Sequence, residues 1–232
     1  MKGWSFVKES LLHLLFPHIC SGCGTDAVRY DRSLCFRCVS RLPLTGFAPL
    51  AGNPIERKFY GRLPLQSAFS LLYFTPDSLV QELMHAIKYR GDRELAIELG
   101  RMLGQSMLDA PRLEPGTLIP LPLFASKEKK RGYNQATLLC EGIAEVTGWC
   151  LQKNLVKRSR HTESQTRKSR IERWMNMEGN FEISNTDGVI PEHYWLIDDV
   201  LTTGATLEAC GQALLTLPGA SLSIATMGYA WR

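Results

Sequence analysis

The sequence predicts a parallel-sheet α/β domain preceded by a small cysteine-bearing segment and helices, and three observations carry that expectation. Residues 195–209 (WLIDDVLTTGATLEA) run from an apolar strand into two acids, then into a loop of small hydroxyl residues around one Gly, then into a helix. Strand-like runs alternate with helical stretches from residue 68 onward, the order that builds a parallel sheet. Two Cys-x-x-Cys pairs, eleven residues apart, precede all of it.

The totals fit one substantial domain with an appendage: 232 residues, 44% hydrophobic and 22% charged, with a formal net charge of +4. The charge is uneven. Residues 127–131 read KEKKR, and residues 153–173 carry eight Lys or Arg against two Glu. Such clusters suit a pyrophosphate or a nucleic acid backbone, and solvated charge is their commonest fate. No signal peptide or membrane span is readable near the start, where the apolar run Leu11–Phe16 is interrupted by His13. The expected location is the cytoplasm, where thiols stay reduced and grouped cysteines more often hold metal than form bridges.

In chain order, Trp4, Val7, Leu11, Leu14 and Leu15 predict an amphipathic helix over residues 3–15, stopped before Pro17. Cys20, Cys23, Cys35 and Cys38 then read as two knuckles closing a tetrahedral zinc site, with Gly22 and Gly24 permitting the tight backbone. Four thiolates leave no position for water, so the ion is expected to be structural, and His13 and His18 are not needed. The scattered Cys140, Cys150 and Cys210 suit buried apolar roles. The zinc segment is placed at residues 1–42. From Leu42 to Leu65 the breakers Pro43, Gly46, Pro49, Gly52, Pro54, Gly61 and Pro64 argue against regular elements, so residues 43–66 read as a linker and residues 67–232 as the main domain.

Within that domain, Ala68–Phe74 is a candidate strand, Ser78–Tyr89 a helix capped by Ser78 or Asp77, and Glu94–Leu108 a second helix. Thr117–Leu123 is a strand bent by Pro120 and Pro122; Lys127–Arg131 follows in a connecting loop, and a helix runs to about Thr147. Trp149–Val156 reads as a moderate strand, Lys157–Arg173 as a mobile basic loop, and Asn180–Ile183 as a return to strand. Ser221–Ala230 closes the sheet.

The chemistry concentrates at residues 198–206. A small-residue loop opening a helix is an anion site, because the first helical N–H groups lack internal partners and carry the positive end of the dipole. Gly204 lets the backbone approach, and the Thr hydroxyls add donors. Two carboxylates beside a phosphate would repel it, so Asp198 and Asp199 are expected to accept hydrogen bonds from hydroxyls such as a ribose diol. A phosphate loop of the GxxxxGK[ST] type is excluded, since no Gly-Lys pair occurs.

IDD followed by VLTTGAT resembles the phosphoribosyl pyrophosphate (PRPP) motif of type I phosphoribosyltransferases. Together with LIPLPL, KKRGYNQATLL, the Thr162–Asn176 segment with Gln165 and Arg173, and the double CxxC, nearly the whole chain resembles the ComF family. The resemblance implies a zinc-knuckle amino terminus fused to a type I phosphoribosyltransferase-like domain. It also implies a role, in naturally competent bacteria, in bringing single-stranded DNA into the cytoplasm, with competence proteins as partners. By the same resemblance Asp198 and Asp199 fall on the ribose-binding acids, and Thr202, Thr203, Gly204, Ala205 and Thr206 on the 5-phosphate loop. Arg131, Gly132, Tyr133, Asn134 and Gln135 fall on an RGFNQ-like signature. Thr202 stands where oxopurine salvage enzymes carry a base-contacting Asp, which disfavours purine salvage.

If there is turnover, pyrophosphate leaves the anomeric carbon with its charge neutralised by Mg²⁺ and basic side chains. Lys129, Lys130 and Arg131 are the catalytic candidates, joined by Arg167 or Arg170 from the basic loop. The competing reading is a binding module without turnover, in which the basic loops and the zinc knuckle hold single-stranded DNA or a partner and Tyr60, Tyr133 and Trp174 offer stacking faces.

Overall fold

The computed structural model describes residues 18–158, 181–184 and 192–231. The expected helix over residues 3–15 and all but the first two residues of the basic stretch 157–173 lie outside them, as do Trp174 and Asn176.

The cysteine segment holds one helical turn, α1 (Phe36–Val39). The breaker-rich stretch that follows is not free of regular structure, because α2 (Pro54–Phe59) forms inside it. Pro54 occupies the first helical position, where a missing N–H is no loss, and the Asn53 side chain caps the turn by accepting from Ile55 N (2.9 Å) and Glu56 N (3.2 Å). Ile55 and Phe59, four apart on one face, are fully buried. Thr45 N donates to Leu71 O (2.9 Å) and Asn53 Nδ2 to Ala68 O (2.8 Å), which pins the stretch to the first strand.

That strand is β1 (Ser67–Phe74). Next comes α3 (Leu79–His85), capped by Ser78 as expected, which passes directly into a π-helical turn, Ala86–Arg90, ended by left-handed Gly91. Asp92 caps α4 (Arg93–Leu108) by accepting from Leu95 N at 3.0 Å. β2 (Thr117–Pro120) is followed by α5 (Ala125–Arg131), so the KEKKR run is helical rather than a loop, and by α6 (Gln135–Thr147).

The expected strand over 149–156 is reduced to a bridge between Leu151 and Leu118, and β3 (Val156–Arg158) begins where it was to end. β3 pairs antiparallel with β4 (Phe181–Ile183), so this pair stands apart from the main sheet. β5 (His193–Leu201), α7 (Ala205–Leu214) and β6 (Ser221–Ala230) complete the chain.

β1, β6, β5 and β2, in that order, form one parallel sheet. β5 and β6 are buried along most of their length, which explains their near-continuous apolar reading in the sequence. Trp195, with no exposed surface, meets Phe69 edge-on at 6.2 Å and donates its indole N–H to Glu114 O at 2.9 Å. Cys140 and Cys210 are buried as expected, whereas Cys150 is exposed because its segment runs along the sheet's edge instead of within it.

Register places the acids. β2 ends at Pro120 opposite Ile197, and Leu121 N donates to Ile197 O (2.9 Å), while β6 accompanies β5 as far as Leu201. Asp198 and Asp199 therefore lie inside the last residues of β5, paired on one side and past the end of β2 on the other. Crevices at the carboxyl ends of parallel strands are where α/β sheets hold ligands.

Candidate functional site

The four cysteine thiols of the first segment lie within 4.8 Å of one another, with Cys23 and Cys35 Sγ at 3.6 Å. Four sulfurs about 2.3 Å from a tetrahedral ion are about 3.8 Å apart, so the set fits a metal ion such as zinc. Burial opposes ionisation of Cys20, but N–H groups of Cys35, Cys23 and Gly22 outweigh it and bring this thiol down to about 7. Burial, and then the neighbouring thiols, push Cys38 far upward, since thiols this close ionise together only around a cation. A Cβ on Gly22 would lie 3.0 Å from Cys38 Sγ and 2.9 Å from Leu79 Cδ1, so a larger residue there would crowd the cluster. The segment is anchored on α4, where buried Glu98 accepts from Ser33 N (2.5 Å) and pairs with Arg32 (3.6 Å). Ser21 Oγ donates to Asp92 Oδ2 at 2.6 Å.

The acid pair is divided between the two faces of β5, because neighbouring strand residues point oppositely. Asp199 is buried toward α6: its Oδ2 accepts from Gln135 Nε2 (3.0 Å) and pairs with Lys88 Nζ (2.8 Å). Asp198 lies on the side of α7 and β3, where its charge is felt by Cys210 and Arg158. Desolvation, and then the charge of Asp199, raise the Asp198 carboxyl to about 8, against the opposing pull of Asp199 N–H, Lys88 and Arg158. Asp199 N donates to Asp198 Oδ1 at 2.8 Å.

After β5 the chain turns at Gly204 (φ 83°) into α7. Thr202 and Thr203 are exposed, and Ala205 and Thr206 are half-buried at the start of the helix. A Cβ on Gly204 would lie 3.0 Å from the Phe59 ring, so the breaker-rich stretch forms the floor of this loop. Glu208, an acid in the first turn of α7, is paired with Arg62, whose Nη1 also donates to Thr203 O (3.4 Å). Arg62 thus removes a negative charge that would oppose an anion at the loop. Arg62→Ala is expected to weaken an anion bound there roughly threefold, the worth of a partly exposed pair, read as inhibition of binding by inorganic phosphate.

Lys129 and Lys130 are exposed on α5, and among the described residues neither forms an ion pair. Arg131 is half-buried, its guanidinium 5.8 Å from the Tyr89 ring centroid and its Nη1 buried without a partner among the described residues. The structure brings together Asp198, Asp199 and the 202–206 loop along one connected stretch, while the cysteine cluster is a separate centre.

The RGYNQ signature turns out to position its surroundings. The Tyr133 hydroxyl donates to Ile87 O in the π turn, Asn134 Nδ2 donates to Leu121 O (2.9 Å) at the end of β2, and Gln135 holds Asp199. Sequence reasoning missed Lys88 and the placing of Arg158 and Gln135. Lys88 read as the polar end of a helix, and only the π turn, invisible in side-chain periodicity, aims it at Asp199. Arg158 looked like one charge in a basic run, yet its guanidinium sits 3.7 Å from the Phe124 ring centroid and 5.1 Å from that of Phe181.

No family model matches the chain. It is 31% identical over 211 residues to the DNA utilization protein YhgH of Salmonella typhimurium, covering 89% of this chain and 88% of that one. It is 29% identical over 213 residues to competence protein F of Haemophilus influenzae (89% and 88% covered), and 28% identical over 201 residues to competence protein ComFC of Bacillus subtilis (80% and 79%). Among solved structures, a Bacillus subtilis glutamine PRPP amidotransferase is similar over 62% of this chain and 30% of its own, with a TM-score of 0.43 and 15% identity. Sequence identity of this order, sustained across almost the full length of both chains, makes the protein a member of the ComF family.

Proposed function

We propose that this chain binds PRPP, or a related phosphoribosyl ligand, at the carboxyl end of β5, and that this binding serves DNA uptake or utilization. The observation that carries the reading is the run from Asp198 to α7: a carboxylate, a loop turned by left-handed Gly204, and a helix N-terminus, all in nine residues of backbone. The 5-phosphate sits at Thr202, Thr203, Gly204, Ala205 and Thr206, where the helix dipole and hydroxyls favour an anion. Asp198 and Asp199 accept ribose hydroxyls. Mg²⁺ accompanies the pyrophosphate, whose charge it and the basic side chains Lys129, Lys130 and Arg131 offset.

The biological role is supported by the names of the relatives, a DNA utilization protein and two competence proteins. The cysteine cluster holds structural zinc, tying a segment with few apolar residues to α4. The protein acts in the cytoplasm; among the described residues no helix is long and apolar enough to cross a membrane.

The test is calorimetric titration of the zinc-loaded protein with PRPP, with and without Mg²⁺. Micromolar binding that Mg²⁺ strengthens supports the reading; absence of binding overturns it. A second reading is favoured by the exposed, ion-pair-free Lys129 and Lys130 on α5: the fold holds single-stranded DNA, or a competence protein, without turnover. In that case Lys129→Ala with Lys130→Ala flattens the salt dependence of DNA affinity by about two units of slope.

A further inference from the structure

Asp199 is already occupied in the free protein. One of its oxygens, Oδ2, takes both the Lys88 ammonium at 2.8 Å and the Gln135 amide at 3.0 Å. The Gln135 orientation follows, since turning the amide would set its oxygen against the carboxylate; its Oε1 is left buried without a partner among the described residues. Burying an unpaired carbonyl is unfavourable, so fixing Asp199 is worth that loss.

Lys88 is held by more than this ion pair. It lies in the π turn, a local departure from helix geometry that recurs at functional sites. The Tyr133 hydroxyl ties that turn at Ile87 O, and beyond Gly91 the chain is fixed by Asp92, which caps α4 and accepts from Ser21 of the cysteine segment. The Lys88 side chain nevertheless keeps a quarter of its surface (25%) exposed. Arg131 lies over Tyr89, the next residue in the turn, with a buried Nη1 that has no partner among the described residues. Lys88 is thus the cation that faces Asp199, and Arg131 stacks on the neighbouring residue of the same turn.

The loop and α7 lie on the other side, with Asp198. A phosphoribosyl group that reached from that loop across both acids would meet the Asp199 face, where Lys88 stands 2.8 Å from Asp199 Oδ2.

We propose that Lys88 is a ligand-contacting residue of this site, parked on Asp199 in the free protein and drawn onto the C1 pyrophosphate when PRPP arrives, which frees Asp199 for a ribose hydroxyl. The inference rests on the phosphoribosyl reading and adds to it the group that reads the leaving end of the ligand. The chemistry suits lysine: a compact charge with three donors on a four-carbon stem can change acceptor without backbone motion. No covalent step is involved.

The experiment compares PRPP with ribose 5-phosphate, which lacks the pyrophosphate, on the wild type, Lys88→Met and Lys88→Arg. Expected in Lys88→Met is a loss of PRPP affinity of at least about tenfold, with ribose 5-phosphate changed less than about threefold, and restoration of PRPP affinity in Lys88→Arg. Equal weakening of both ligands means that Lys88 only holds Asp199 in place, and overturns the proposal; so does an unchanged PRPP affinity. A wild type that binds ribose 5-phosphate and PRPP equally well leaves the phosphoribosyl reading standing and sinks this one, whereas a wild type that binds neither removes both. Thermal melting shows whether Lys88→Met folds; if it does not, the same ratio measured for Lys88→Gln against Lys88→Arg decides.

Discussion

Asp198→Asn is expected to lose PRPP affinity by about 10- to 100-fold and, at the same time, to make the folded chain more stable above neutral pH. Above about pH 8, where Asp198 is ionised, the loss follows from replacing a charged acceptor of hydroxyl donors, worth about 1.5–3 kcal/mol per charge-assisted bond, by a neutral amide. The gain follows from the raised carboxyl, which burial and Asp199 bring from 3.8 to about 8. Below the unfolded value the group is protonated in both states and has no effect on folding. Between the two values the unfolded chain releases the proton and the folded chain keeps it, so folding is progressively opposed; above about 8 that opposition is complete. The advantage of Asp198→Asn over the wild type should be absent near pH 4, grow through neutrality and level off above pH 8, exceeding about 1.4 kcal/mol, the worth of one unit. Urea unfolding at three pH values reads it. A variant that loses both binding and stability would show the carboxylate to be a structural group. For the same reason PRPP affinity of the wild type should rise toward pH 8, since the hydroxyl-accepting form is the ionised one.

Removing metal from the cysteine cluster is expected to have the largest effect on stability. At a free zinc concentration about a thousandfold above Kd the ion stabilises the native state by roughly 4 kcal/mol, about 10 °C in melting temperature for a chain of this size. An excess of chelator, or Cys38→Ser, should remove most of it. The damage should extend beyond the knuckle, because Ser21 and Ser33 bond to Asp92 and Glu98, and Cys20, Leu34, Cys38 and Leu42 share one core with the sheet. Hydrogen exchange should show loss of protection at the amino-terminal turns of α4. An unchanged melting temperature and one unbound zinc equivalent would mean that the thiols hold no structural ion.

The two centres are separate in chemistry and joined in architecture. The cysteine segment touches Asp92, two residues past the π turn that presents Lys88, and Tyr133 of the signature closes that turn from the other side. The signature therefore acts by fixing what surrounds the acids: Asn134 secures the end of β2, past which Asp198 and Asp199 emerge, and Gln135 secures Asp199 itself.

The sequence by itself determined the parallel α/β class, the first and last strands of the sheet, the cap at Ser78, the cysteine cluster and the run from the acids into a small-residue loop. These features depend on neighbours in the chain, through hydrophobic period, cap chemistry and ligand spacing, so local residue types suffice to read them. Tertiary structure alone decided the rest. Helix α2 forms in a stretch dense with Pro and Gly because Ile55 and Phe59 gain burial against the sheet and Asn53 binds Ala68. The strand expected over 149–156 is confined to one bridge, Leu151 to Leu118, on the edge of β2 that β5 leaves open. Asp198 and Asp199, identical letters side by side, acquire different roles because strand alternation sends one toward α7 and the other to Lys88 and Gln135, residues 111 and 64 positions earlier in the chain. Contacts at such separations are set by how elements stack, and no local pattern of residues encodes them.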